Sequence, residues 1–196
     1  MTHCDLALTY NSDIWAHEDS PDQVGCNQWL AYNIEQFRQT NILHVGTGTS
    51  SVYSLFGDKF ARVDGITIMD SEIEVAKRIG IQHNTLYNIY KINKYDKNKI
   101  DQLPKDYSLL LDNNCSHYAC CTKHWEEYFE SISSMLLPGG IFLTHTQGMA
   151  PHTPRIHHLT IEELVRLGGN EFSLVCEKSL TNNYGHYPVA MVKKLN

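Results

Sequence analysis

Two histidines and a run of side-chain oxygens supply the residue types from which chemistry near neutral pH is built. "LLLDNNCSHY" (109–118) ends an apolar run on Asp112-Asn113-Asn114, with His117 close behind. "GIFLTHT" (140–146) brings a second apolar run to His145. An imidazole titrates close to neutrality and acts as a general acid or base where it faces a substrate. His117 and His145 each follow a buried run, so both are expected to open onto the substrate side of a cleft. Turn chemistry alone accounts for Asn-Asn. An aspartate at the very end of a buried strand is better explained by a ligand.

Other chain segments end in groups suited to a nucleoside. In "ILHVGTGTSSVYSLF" (42–56) an apolar run turns on Gly46-Thr47-Gly48 into a helical pattern. Glycines let backbone approach a ligand closely, and the following helix start offers free N–H groups. The dinucleotide fingerprint G-x-G-x-x-G fails, because Ser51 stands at its third glycine. "GITIMDSEIEVAKRIGI" (65–81) places Asp70 and Glu72 where a ribose needs an acceptor for its hydroxyls, although acids there also complement a helix macrodipole. Tyr95-Asp96 follows a third extended run, where an adenine amine would meet an acceptor and an aromatic edge.

The elements that position these groups alternate. Leu30, Ile34 and Phe37 repeat at helical spacing; 41–45, 61–68, 84–92 and 107–112 read as strands. Helices are expected over roughly 50–56, from a Ser71/Glu74 capping box, over the stripe Trp125 to Leu136, and from Thr160 capped by Glu163. Pro138-Gly139-Gly140 stops the third of these, and 140–146 is the next strand. "FSLVCEKSL" and "YPVAMVKKL" flank a turn-rich linker and read as an antiparallel hairpin. The expected fold is α/β: one doubly wound, mostly parallel sheet of about seven strands ending in that hairpin, with helices on both faces. Residues 1–27 read as an irregular arm. Together with the helix that follows, up to residue 40, it is expected to cover the site, leaving 41–196 as the Rossmann-like domain.

Taken in order, "ILHVGTG", "VDGITI…EIEVAKR", "D…LPKDYSLLLD" and "MLLPGGIFLTH" resemble the class I S-adenosylmethionine-dependent methyltransferases over residues 41–146. The looser G-x-G of that family fits, with Ser50 where a further glycine is common. The resemblance implies that Gly46 and Gly48, with Thr47 between them, line the methionine and ribose end of S-adenosylmethionine. It implies Glu72 at the ribose and Asp96 at adenine, with Asp112 and Asn113 near the methionine amino group. Thr67, Asp70 and Tyr95 complete the expected cofactor contacts. Two departures stand out: His44 and Thr67 occupy places where the family usually carries an acid. Segments 109–118 and 136–145 are also similar to magnesium-dependent O-methyltransferases, but Thr144, His145, Thr146 and Gln147 replace the usual further ligands. A hard cation prefers carboxylate oxygens, and the remaining histidines lack ligand spacing, so no metal is assigned.

Composition narrows the class further. A net charge of −6 argues against nucleic acid, which needs clustered Lys and Arg. "YKINKYDKNK" (90–99) reads as a solvated loop. No membrane span or leader pattern is visible, and six scattered cysteines without a C-x-x-C suit a reducing compartment, so the expected location is cytoplasmic. The favoured activity is methyl transfer to a small-molecule acceptor, with Trp15, Tyr95, Tyr118 or Tyr184 able to face a cation. A cyclase or lyase using the same cofactor, and a non-catalytic binding protein of the same fold, remain alternatives.

Overall fold

Apolar runs too continuous for a strand with one wet face determine the architecture. Residues 42–45 and 109–112 are buried at every position, as strands are when helices cover both faces of a parallel sheet. The structure, a computed structural model, describes residues 21–112, 122–146, 160–181 and 187–195. Its elements in chain order begin with α1 (Pro21–Asn33), β1 (Asn41–Val45), α2 (Ser51–Phe56), β2 (Arg62–Thr67), α3 (Asp70–Ile79) and β3 (Leu86–Lys91). They continue with α4 (Lys97–Ile100), β4 (Tyr107–Asp112), α5 (Thr122–Met135) and β5 (Leu136–His145). The last are α6 (Ile161–Gly168), β6 (Phe172–Cys176) and β7 (Pro188–Lys193).

The strands form one seven-stranded sheet in the order β3-β2-β1-β4-β5-β7-β6. The β1 to β5 pairings are parallel, and β7 runs antiparallel to both β5 and β6. Strand order reverses between β1 and β4, the place where open α/β sheets leave a crevice at the carboxyl edge. Alternate residues of β4 feed two cores. Leu109 and Leu111 pack with Trp29, Leu30, Val52 and Tyr53 from α1 and α2. Leu110 packs with Trp125, Phe129 and Ile132 of α5 and Leu164 of α6. The capping box at α6 is present as expected, with Thr160 and Glu163 bonding each other's backbone N–H. Among the described residues no helix is long and apolar enough to cross a membrane.

Three local expectations are corrected. What reads as the end of an irregular arm is the first part of α1, opened by Pro21 at its first helical position; the stripe through Phe37 finishes as a 3-10 turn, Ile34–Phe37. Ser71 and Glu74 form no capping box. Met69 is the N-cap residue, its N–H donates to the Thr67 hydroxyl at 3.0 Å, and Glu74 instead pairs with Lys77 at 2.7 Å. Leu136 and Pro138-Gly139-Gly140 belong to β5 as an irregularity: Tyr107 pairs with Leu136, then Leu109 with Ile141. Gly139 adopts φ 79° within that offset, a conformation glycine reaches without strain.

Toward the amino ends of the strands, polar groups tie four of them together. Asp64 is fully buried in β2 and accepts from Arg62 Nε (2.8 Å), Asn88 Nδ2 of β3 (2.8 Å) and the Tyr107 hydroxyl of β4 (2.7 Å). Arg62 also bonds Asp106, which accepts from Asn41 at the start of β1. The Tyr107 phenol is held well above the ordinary tyrosine range, first by burial and then by its bond to the Asp64 carboxylate. Folding therefore favours the protonated phenol. Its contribution is complete below about pH 10, the free phenol value, and is lost as pH rises toward the folded value. Urea unfolding between pH 9 and 11 should show stability falling with pH, and Tyr107→Phe should make that fall shallower. An unchanged alkaline slope in the variant would contradict this role.

Candidate functional site

The carboxyl edge of β1 leads directly into the glycine loop. Gly46 and Thr47 donate their N–H groups to the Ile66 carbonyl of β2 at 2.9 and 3.3 Å, so the loop leaves the sheet still tied to its neighbour. Gly46 and Gly48 adopt φ 67° and 51°, and Ser50 follows at 60°. Among the described residues nothing lies within 4 Å of where a Cβ on Gly48 would stand. The loop is thus shaped by left-handed turns and open on that side. Thr47 folds inward, its methyl filling the space left by Gly65 of β2, where a Cβ would sit only 2.5 Å away. The Thr47 hydroxyl is buried and has no hydrogen-bond partner among the described residues.

Glu72 closes the loop from below. It lies in the first turn of α3, is 7% exposed, and accepts from the Gly48 N–H at 3.2 Å and from the Thr67 hydroxyl. Thr67 is itself buried. The two acids offered for this place therefore separate cleanly. Asp70 points outward, 79% exposed at its side chain, and pairs with Lys91 at 2.6 Å. His44 of β1, where the sequence resemblance leads one to expect an acid, is buried between Gly65 of β2 and Leu111 of β4.

On the far side of the crevice the structure overturns one expectation. Lys94, read as part of a solvated basic loop, is buried and bonds the fully buried Asp112 at 2.9 Å. The Tyr128 hydroxyl of α5 donates to the same carboxylate oxygen at 3.0 Å. Rings of Tyr95, Trp125 and Tyr128 surround the ammonium at 5.2, 5.6 and 5.0 Å, a set of cation–π contacts that offsets part of its lost hydration. Asp112 thus stands at the end of β4 with its charge already compensated. Tyr95 packs edge-on against Tyr128, and Asp96 lies beside it at the start of α4, where it pairs with Lys99 at 3.6 Å.

His145, expected on the substrate side, lies under α1. It is fully buried, and a Cβ on Gly25 of α1 would come within 2.8 Å of its Nε2. Next to it, Cys26 of α1 donates to the Thr144 carbonyl. The helix lies over this end of β5 because glycine and cysteine let it come close. Asn113 and His117 lie outside the described residues, as do Trp15, Tyr118 and Tyr184. Among the described residues no three His, Cys, Asp or Glu side chains converge as a metal site would require.

No protein-family model and no curated protein matches the sequence. Solved structures do. The N-methyltransferase NodS from Bradyrhizobium japonicum, in complex with S-adenosyl-L-homocysteine, aligns over 96% of this chain and 95% of its own with TM-score 0.67 and 14% identity. The chain has the class I methyltransferase fold. Two more structures share that fold. The 1,6-didemethyltoxoflavin-N1-methyltransferase of Burkholderia thailandensis aligns over 94% of this chain and 82% of its own, with TM-score 0.64 and 20% identity. CalS10, an amino pentose methyltransferase from Micromonospora echinaspora, covers 90% and 92% with TM-score 0.66 and 11% identity. Lys94, just after β3, was not legible in the sequence as a buried group, because its segment is so rich in charge.

That buried pair yields a stability test. Lys94→Met should leave Asp112 buried without its cation and cost about 3–5 kcal/mol in urea unfolding. Lys94→Met/Asp112→Leu should recover most of that loss. A Lys94→Met protein as stable as the parent would show that the pair carries no energetic weight.

Proposed function

We propose that this chain binds S-adenosylmethionine across the carboxyl edge of β1, β2 and β4 and transfers its methyl group to a small-molecule acceptor. The observation that carries the reading is the Glu72 carboxylate, which reaches the Gly48 amide beside open space. A buried acid at a glycine loop suits a nucleoside, whose ribose hydroxyls donate to the carboxylate while the glycines let the rest of the ligand approach the backbone closely. The solved neighbours support this choice of ligand: NodS and the toxoflavin enzyme were crystallised with S-adenosylhomocysteine and CalS10 with S-adenosylmethionine. They also support a small acceptor, since the toxoflavin enzyme holds 1,6-didemethyltoxoflavin and CalS10 acts on an amino pentose. The antiparallel β7 and the serine at position 51 weigh against a dinucleotide.

In this reading Gly46, Thr47 and Gly48 line the methionine and ribose end, and Glu72 takes the ribose with Thr67 steadying its carboxylate. Tyr95 and Asp96 border adenine. Asp112, compensated by Lys94, holds the 92–96 segment against α5, and Asn113 beside it is the remaining candidate for the methionine amino group. Asp70 serves the helix terminus. Bound, the cofactor supplies an electrophilic methyl on a sulfonium. The chain's own task is to align an acceptor atom with that methyl, exclude water and accept a proton where the acceptor carries one. We assign His145 to seating α1 over the site, which leaves His117 as the candidate base.

Calorimetry should detect S-adenosylhomocysteine and not NAD, and Glu72→Ala should weaken that binding by about 1–3 kcal/mol. Mass spectrometry of S-adenosylmethionine incubated with candidate amines and phenols should show S-adenosylhomocysteine and an acceptor heavier by one methyl. Fragments of a cleaved or cyclised cofactor would instead assign a lyase or cyclase. Equal affinities for Glu72→Ala and the parent would remove the ribose role.

A further inference from the structure

Ser50 occupies a backbone conformation it does not favour and declines the role it usually has there. It precedes α2 at φ 60°, ψ 31°, in the left-handed region that side chains other than glycine, asparagine and aspartate seldom enter. Serine before a helix ordinarily caps it by accepting from the first-turn N–H groups, yet Ser50 makes no such bond. Its side chain is fully buried and its hydroxyl accepts from the Tyr87 phenol at 2.8 Å. Tyr87 belongs to β3, the edge strand, a long way in sequence from the loop.

Tyr87 is in turn held firmly. Its ring stacks on Tyr53 of α2 with centroids 4.1 Å apart and planes 10° from parallel. The Tyr53 hydroxyl is anchored on the Thr85 carbonyl at 2.9 Å, just before β3 begins. Burial pushes the Tyr87 phenol up to about 12, so it remains a proton donor throughout the working range. The loop is therefore gripped from two sides, by Glu72 at Gly48 and by Tyr87 at Ser50.

We infer that Tyr87 is a positioning residue for the glycine loop, holding Ser50 in its left-handed turn so that the Gly46 to Gly48 backbone keeps the shape against which the ligand packs. This inference rests on the cofactor reading for its ligand, but not for its effect on the loop. Where glycine follows such a loop, the turn needs no side-chain support; here serine stands in that place and β3 supplies the support.

The test is a set of four variants read by amide hydrogen exchange and by calorimetry with S-adenosylhomocysteine. Tyr87→Phe keeps the stacked ring and removes one hydrogen bond of ordinary strength, so exchange at Gly48 and Ser50 should quicken and affinity should fall by about threefold to tenfold. Ser50→Ala keeps the left-handed strain without the acceptor and should behave the same way. Ser50→Gly should make Tyr87 dispensable, with Ser50→Gly/Tyr87→Phe within about twofold of Ser50→Gly alone, because glycine holds the turn unaided. Unchanged loop exchange in Tyr87→Phe overturns the inference, as does an equal effect of that substitution in both backgrounds, which would mark it as general stability. If the parent protein fails to bind S-adenosylhomocysteine, the cofactor reading falls, and loop exchange alone decides the role of Tyr87.

Discussion

One buried carboxylate joins the parts that make this a site. A single Glu72 oxygen takes the Gly48 amide and the Thr67 hydroxyl, tying the loop after β1, the end of β2 and the first turn of α3 to one point. A carboxylate nine-tenths removed from water is costly unless its bonds replace hydration. Two donors and a helix N-terminus do so here. The arrangement requires β1 and β2 to keep their parallel register, which carries Gly46 to the Ile66 carbonyl. A slip of one residue would turn Val45 and Thr67 to the wrong faces and dissolve the junction.

Two more buried acids secure that register from opposite directions. Asp64 collects donors from β2, β3 and β4 toward the amino ends. Asp112 at the carboxyl edge of β4 collects Lys94 and Tyr128, drawing the segment after β3 and helix α5 onto the sheet. Each acid is offset by a nearby cation, Arg62 in the first case and Lys94 in the second. The pattern leaves Glu72 as the buried acid of the loop without a basic side chain bonded to it among the described residues, which suits it to meet hydroxyl donors of a ligand.

Much of the fold was legible because burial on both faces writes itself as unbroken apolar runs. β1 and β4 begin and end where "NILHV" and "YSLLLD" do. The α6 capping box was equally direct, since its two residues satisfy each other's backbone and need nothing distant. Ser71 and Glu74 had the same spacing and formed nothing, because Thr67 had already bonded the Met69 N–H and begun the helix earlier. What escaped the sequence was long-range. Lys94 is indistinguishable in a row of lysines until Asp112, eighteen positions on, takes its charge. His145 ends a strand as expected, but Gly25 of α1, far earlier in the chain, decides that it is covered. Gly65 was the one available signal for the close approach of Thr47, since glycine inside a strand often marks a neighbouring backbone or ligand.

The most direct measurement is a crystal structure of the protein grown with S-adenosylhomocysteine. The account predicts the nucleoside at the carboxyl edge of β1 and β2, with its ribose hydroxyls within hydrogen-bond distance of the Glu72 carboxylate and its thioether end beside Gly46 to Gly48. A ribose held by Asp70 or any other residue, with Glu72 still bonded only to Gly48 and Thr67, would contradict it.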